Sequence, residues 1–369
     1  MTNRREFLKD AAGTTAGIVF VGCGWMKAAV LTMQAGGTAR RREVAVGGRR
    51  VKTVDVHCHC VIAEVWEAIK DYEVGRALRG QLDGPVGSSL SLASVRERLA
   101  WMDQQGLDVQ AVSINPYWYS ADRDVAETII RTQNEKIAEL CAAHPDRFVG
   151  LATVALQYPF LAAEQLEQGV RRLGLRGCLV GGSVNGVELA DRRFNPFWAK
   201  AEELGCLVFI HPQGFPPGEA RFRGRGNLTN IIGNPLETTV ALSHLIFEGT
   251  LDRFPGLKIC GAHGGGYLPS YIARSDRCFA RTPEECPPLQ KLPSEYLRQL
   301  YFDSMVFTAQ GLRHLIAESG VSQIVLGTDY PFNWTSEAVD HILSTPGLSD
   351  ADKRAILGET AARLLRIES

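Results

Sequence analysis

The chain has no surplus of either charge. Over 369 residues, 40 lysines and arginines stand against 41 aspartates and glutamates, a formal net charge of -1. No single-sign field is available to gather nucleic acid or an anionic membrane surface, and both are excluded as partners. The nine cysteines are odd in number and show no paired Cys-x-x-Cys spacing. Neither a zinc ribbon nor a disulfide framework is indicated. Cys178, Cys206 and Cys260 sit in apolar strand-like runs and read as inert core thiols. Repeats and low-complexity blocks are also missing. What remains is ordinary globular composition, 45% apolar and 22% charged, enough to bury a large core.

The first 49 residues read as a separate object. Asn3-Arg4-Arg5-Glu6-Phe7-Leu8-Lys9 precedes a Gly/Ala/Thr-rich, mildly apolar stretch from Ala11 to Gly24. Twin arginines before such a stretch resemble a bacterial twin-arginine export signal, which implies the export machinery as a partner and the periplasm or cell envelope as destination. The plain alternative is a flexible basic start to a cytoplasmic protein. The stretch is too short and too rich in small residues for a membrane span. Phe20-Val21-Gly22-Cys23 resembles a lipoprotein box with an unusual Phe, which makes Cys23 a candidate lipid anchor. Residues 25–49 read as a linker, and residues 50–369 as one folded domain.

From Val51 onward, short β-branched runs alternate with amphipathic helical stretches, the pattern of βα units. Eight strands are expected near 51–57, 108–114, 147–153, 176–180, 206–211, 257–262, 299–303 and 323–328. The fold class is therefore α/β, a (β/α)8 TIM barrel, with 60–91 and 214–235 as insertions over the mouth.

Metal-ligand residues close four of these strands. His57 and His59 close the first, His211 the fifth and His263 the sixth, and Asp329 follows the eighth. Parallel barrel strands bring such ends to one face. A His-x-His on one strand points both imidazoles to the same side, so His57 and His59 can share one ion. Imidazole and carboxylate donors at about 2.0–2.2 Å suit Zn²⁺ and leave a position open. The strand 4 end, Leu179-Val180-Gly181-Gly182, has no lysine to carry a bridging carbamate, so a single divalent ion is expected. Asp55 reads as structural, and His144, His244, His314 and His341 as ordinary helical histidines.

These strings resemble the amidohydrolase-related superfamily, in particular its branch of metal-dependent decarboxylases. Further strings carry the resemblance: Met102-Asp103-Gln104-Gln105-Gly106, Pro145-Asp146-Arg147-Phe148-Val149-Gly150-Leu151, Ala262-His263-Gly264-Gly265-Gly266 and Leu326-Gly327-Thr328-Asp329-Tyr330-Pro331. The resemblance implies His57, His59, His211 and Asp329 as metal ligands, with His263 and Asp329 catalytic, His263 as the acid/base. It also implies Arg98, Arg274 and Arg281 as substrate-binding residues, one of the latter two reaching a neighbouring subunit of a homodimer. Gln213-Gly214-Phe215 departs from the family's pattern after the strand 5 His-Pro, which argues for a different substrate.

The function so implied is non-oxidative decarboxylation of a small aromatic or unsaturated carboxylate. Hydrolysis of a lactone, ester or amide by water ionised on the same ion uses every one of the same ligands, and stands as the alternative. A non-catalytic metal-binding protein is the third reading, disfavoured by the intact His263.

Overall fold

The computed structural model describes residues 41–368, apart from 85, 92–93, 282–287, 333 and 335–336. Eight short parallel strands form its centre: β1 Val54–His59, β2 Val109–Ser113, β3 Phe148–Gly150, β4 Gly177–Val180, β5 Leu207–Ile210, β6 Lys258–Gly261, β7 Leu300–Asp303 and β8 Ile324–Val325. Pairing runs β1-β2-β3 and β4-β5-β6-β7-β8. Isolated parallel bridges close both seams, Ala152 beside Cys178 at one, and Asp55 beside Leu326 and Cys58 beside Tyr330 at the other. The order around the ring is the order in the chain, so the expected barrel is present.

Alternation along the strands builds two apolar layers. Val54, Val56, Val109, Leu179, Phe209 and Val325 form one with Ala361, Leu364 and Leu365 of the last helix. Their neighbours, such as Cys58, Val112, Val208, Ile210 and Phe302, belong to the larger layer between strands and helices. Helix Val95–Gln105 ends at Gly106 and helix Asn195–Leu204 at Gly205, both at positive φ, where glycine has no Cβ to clash. Among the described residues no helix is long and apolar enough to cross a membrane.

The boundary expected at residue 49 is corrected. Ala45–Val46 pairs antiparallel with Arg49–Arg50 across Gly47-Gly48, whose φ values of 59° and 75° suit a tight hairpin turn. Val44 and Val46 are buried in the larger core. Arg41 and Arg50 both bind Asp108, and Arg147 binds Asp103. Residues 41–50 therefore belong to the folded domain, at the rim where strands begin. The twin arginines and Cys23 lie outside the described residues. Insertion 60–91 forms short helices, Trp66–Ile69, Glu73–Leu82 and Gly87–Leu90, and insertion 214–235 leads into helix Asn234–Phe247.

Candidate metal centre

The ends of β1, β5 and β8 converge as the barrel requires. One donor atom from each of His57, His59, His211 and Asp329 lies within 4.8 Å of all the others, and all four residues are buried. His57 Nε2 and His59 Nε2 are 3.1 Å apart. Asp329 Oδ1 is 3.1 Å from His57 Nε2, 2.9 Å from His59 Nε2 and 3.9 Å from His211 Nε2. Both ring nitrogens of His211 are buried without a hydrogen-bond partner. Such groups are costly to bury unless something binds them. Separations of this size are those of donors arranged about one ion at about 2.0–2.2 Å.

Charge points the same way. Burial works to lower the pKa of His57, but Asp329 and Asp303 on either side outweigh it and raise the value to about 10. Burial drives His59 down to about 4 and His211 well below its ordinary value. Burial also opposes the charge of Asp329, yet the surrounding imidazoles hold its carboxyl well below the usual range. Taken by themselves, these side chains call for positive charge between the two carboxylates, and a divalent cation supplies it. The cluster is a single divalent-ion site.

His263, ending β6, stands outside that set. Its Nε2 lies 3.7 Å from Asp329 Oδ2, and its buried Nδ1 has no partner. His263 and Asp329 both hold left-handed backbone, φ 55° and 58°, a conformation that costs a non-glycine residue about 1–3 kcal/mol. Asp303, the last residue of β7, offsets this strain. Its carboxylate accepts from the backbone N–H of His263 at 2.9 Å and of Gly264 at 2.8 Å, and from His57 Nδ1 at 2.6 Å. Burial opposes the Asp303 charge, but the His57 bond prevails and holds its pKa below the ordinary value. Gly266 allows the turn to close, since a Cβ there would collide with the Pro235 carbonyl oxygen.

Asp55 is structural, as expected. It accepts from the backbone N–H of His57 and Thr328, from Thr328 Oγ1 and from Gln110 Nε2, so it ties β1 to the segment that carries Asp329. Burial raises its pKa to about 6 against the pull of those bonds.

A cavity of about 380 Å³ opens on this centre, bounded by His59, His211, His263 and Asp329 and by amides including Gln81, Asn115, Gln213 and Asn227. Gln81 comes from the first insertion and Asn227 from the second, so both insertions shape the mouth. No arginine or lysine among the described residues lines it.

The three arginines expected to bind substrate are placed elsewhere. Arg98 is 1% exposed, on helix Val95–Gln105. Its guanidinium donates to the His59 carbonyl oxygen and to Gln110 Oε1, and lies 4.5 Å above the Tyr330 ring. It supports the backbone of a metal ligand. Arg274 and Arg281 lie exposed on helix Leu268–Arg281, away from the cavity of their own chain. Trp118, after β2, is fully buried and donates to the Val154 carbonyl oxygen, so it packs in the core. Gln213, singled out in sequence, does line the cavity, whereas Asp303 and the amides Gln81, Asn115 and Asn227 were not singled out. The same strand-end rule that found His211 would have found Asp303.

Known proteins share this architecture. The chain is 32% identical over 275 residues to 2-amino-3-carboxymuconate-6-semialdehyde decarboxylase of Dictyostelium discoideum, covering 73% of this chain and 76% of the relative. The crystal structure of 5-carboxyvanillate decarboxylase from Sphingomonas paucimobilis superposes with a TM-score of 0.79 at 28% identity, over 86% of this chain and all of that one (100%). A dihydroxybenzoic acid decarboxylase from a Polaromonas species, solved with bound manganese and the inhibitor 2-nitroresorcinol, gives a TM-score of 0.72 at 28% identity, over 86% and 97% of the two chains. Residues 54–367 match the amidohydrolase family along nearly the whole barrel, and the chain belongs to that family.

Proposed function

We propose that the protein is a metal-dependent non-oxidative decarboxylase, a carboxy-lyase acting on a small aromatic or unsaturated carboxylate. One observation carries the reading: donors of three histidines converge with Asp329 on one point, while His263, its Nε2 3.7 Å from Asp329 Oδ2, borders the same cavity outside that donor set. The three similar proteins above are all decarboxylases by name.

The ion, Zn²⁺ first for three imidazoles and a carboxylate, supplies a Lewis-acidic anchor for substrate oxygens when bound. In the overall reaction the bond to the carboxyl carbon breaks, CO₂ leaves, and the ring or chain carbon takes up one proton. His263, in its protonated form, delivers that proton from a ring nitrogen, a role worth about 10²–10⁴-fold in rate. Asp329 sits beside it and orients the imidazole. The side-chain amides of Asn115 and Gln213 bind the substrate's polar oxygens. A homodimer, in which Arg274 or Arg281 reaches the neighbouring subunit, completes the reading.

The uncharged amide lining also suits a neutral lactone or ester, which keeps hydrolysis as the second reading. Metal-loaded enzyme offered hydroxybenzoates, muconates and lactones, with CO₂ detection, separates the two. Release of CO₂ from a carboxylate supports the lyase. Lactone opening without CO₂ release supports the hydrolase.

The proposal extends to location. Arg4 and Arg5 direct folded, metal-loaded protein through the twin-arginine route to the periplasm or cell envelope, with Cys23 as a lipid-anchor candidate.

A further inference from the structure

One recess gathers positive charge in a chain whose formal net charge is only -1. It has a volume of about 1280 Å³ and lies at the end of the barrel where strands begin, opposite the metal centre. Val51 and Lys52 precede β1, Val109 opens β2, Arg176 precedes β4, and the last helix, Thr360–Leu365, supplies the facing wall. Seven cationic side chains line the recess against four carboxylates. Three of the cations are committed to carboxylates within the fold. Arg41 and Arg50 share Asp108, and Arg354 faces Glu359 at 3.5 Å. The other four meet none. Lys52 donates to the Glu368 carbonyl oxygen, and Arg366 to the Leu204 and Gly205 carbonyl oxygens at 2.6 and 3.2 Å. Arg363 reaches only the Glu359 carbonyl oxygen and Thr360 Oγ1 of its own helical turn, at 3.3 and 3.4 Å. Arg176, partly buried, has no ion pair or hydrogen bond from its guanidinium among the described residues. The remaining carboxylates, Asp146 and Glu368, are exposed and form no ion pair among the described residues.

We propose that this recess binds a small organic polyanion, a molecule with two or more phosphate or carboxylate groups on an apolar or planar body. Cations gathered around a hollow repel one another, and the surrounding low-dielectric walls focus their field into it. A ligand with several negative charges relieves that repulsion. Guanidinium forks such as those of Arg176 and Arg363 match phosphate and carboxylate oxygens two at a time. The lining also explains the body of the ligand. Val109, Val149, Ala362 and Ile367 give the recess apolar surface, and Val149 and Ile367 rest on the inner layer of the barrel core. An inorganic ion would leave that surface uncovered. The volume exceeds the about 300–1,000 Å³ usual for ligand pockets, which is room for a whole molecule. A flat bilayer is the poorer match, because these charges surround a hollow and not a plane. The strands carry the metal donors at their other ends, so the ligand here is an effector or a carried molecule and not the substrate.

The test uses full-length, metal-loaded protein and probes that chelate divalent ions poorly: naphthalene mono-, di- and trisulfonate, with inorganic sulfate as the control that lacks a body. Calorimetric titration gives Kd for each. The trisulfonate is expected to bind about tenfold tighter than the monosulfonate, the effect of two further exposed ion pairs, and tighter than sulfate. Raising salt from about 0.05 M to about 0.5 M should weaken it about tenfold, since screening then acts within a few ångström. Arg176→Gln combined with Arg363→Gln should abolish the preference for the trisulfonate while metal content and Tm stay at wild-type values. Arg176→Glu, a single change at a side chain without partners, should do the same and serves if the double variant is unstable. Displacement of the trisulfonate by adenosine diphosphate or by benzene-1,3,5-tricarboxylate then tells phosphate from carboxylate, and failure of both overturns the proposal. Equal Kd for mono- and trisulfonate, or a preference unchanged in the variants, also overturns it. Competition between the trisulfonate and a dihydroxybenzoate would place the probe at the metal-side cavity, with the same consequence. Binding to phosphatidylglycerol vesicles that needs Arg176 and Arg363, without binding of the trisulfonate, would make this end a membrane-facing surface and contradict a small ligand.

Discussion

Asp303 accepts a hydrogen bond from Nδ1 of His57 at 2.6 Å, and this contact leaves Nε2 as the nitrogen of His57 that faces the other donors. The same carboxylate pins the backbone of His263 and Gly264, so one residue of β7 sets the orientation of a metal ligand and of the turn that carries His263. Asp303→Asn keeps the shape and weakens the acceptor. It should lower metal affinity or turnover by about 10–100-fold, the usual effect of losing a ligand's supporting partner. Competition with a chelator and steady-state turnover measure the two. Values within twofold of wild type would remove Asp303 from the account.

Arg98 gives a second prediction. Its guanidinium braces the His59 carbonyl oxygen and Gln110 from a fully buried position. Arg98→Met should therefore reduce metal retention and thermal stability together. A substrate clamp would behave differently, raising KM for carboxylates while metal content and Tm stay at wild-type values. Metal analysis, melting curves and KM on one preparation distinguish the two roles.

The barrel and the ion site were legible because their signals are local. A period-two His57-x-His59 and apolar runs closed by His211 and His263 mark strand ends without any knowledge of neighbours. Asp303 closes a strand just as plainly, but an acidic residue there also suits an ordinary turn. Its role depends on β1 and β6 arriving beside it. Arg98 was misplaced for a related reason. Its spacing from Met102 locates it on a helix, but the side it presents is decided by burial against Tyr330 and β1. The hairpin at 45–50 escaped because strands of two residues carry no periodicity, although Gly47-Gly48 is a turn signal in its own right.

That hairpin can be tested by pH. Burial acts to raise the pKa of Asp108, but the Arg50 hydrogen bond, the Thr53 N–H and nearby Arg41 prevail and hold it below its ordinary value. A depressed folded-state pKa means that the contribution is fully present above about pH 4, the unfolded value, and is lost as pH falls through the folded one. Asp108→Asn should cost about 1–3 kcal/mol at pH 7. Its Tm deficit should shrink as pH falls below about 4. A pH-independent deficit would mean that the residue acts through packing alone.

Export is tested at the paired arginines. Arg4→Lys with Arg5→Lys preserves charge but removes both guanidiniums, and should retain precursor in the cytoplasm. Fractionation that finds wild type and variant equally cytoplasmic would withdraw the export proposal.

The division of labour among the histidines is tested most directly by metal content and turnover measured together on two single variants. His211→Ala should lose metal and rate in step, because its imidazole is one of four converging donors. His263→Ala should keep close to one ion per chain and lose about 10²–10⁴-fold in turnover, the loss expected of a proton-transfer group alone. A His263→Ala protein that purifies without metal would make His263 a ligand and contradict the account. One that keeps both metal and normal turnover would assign the proton to another group.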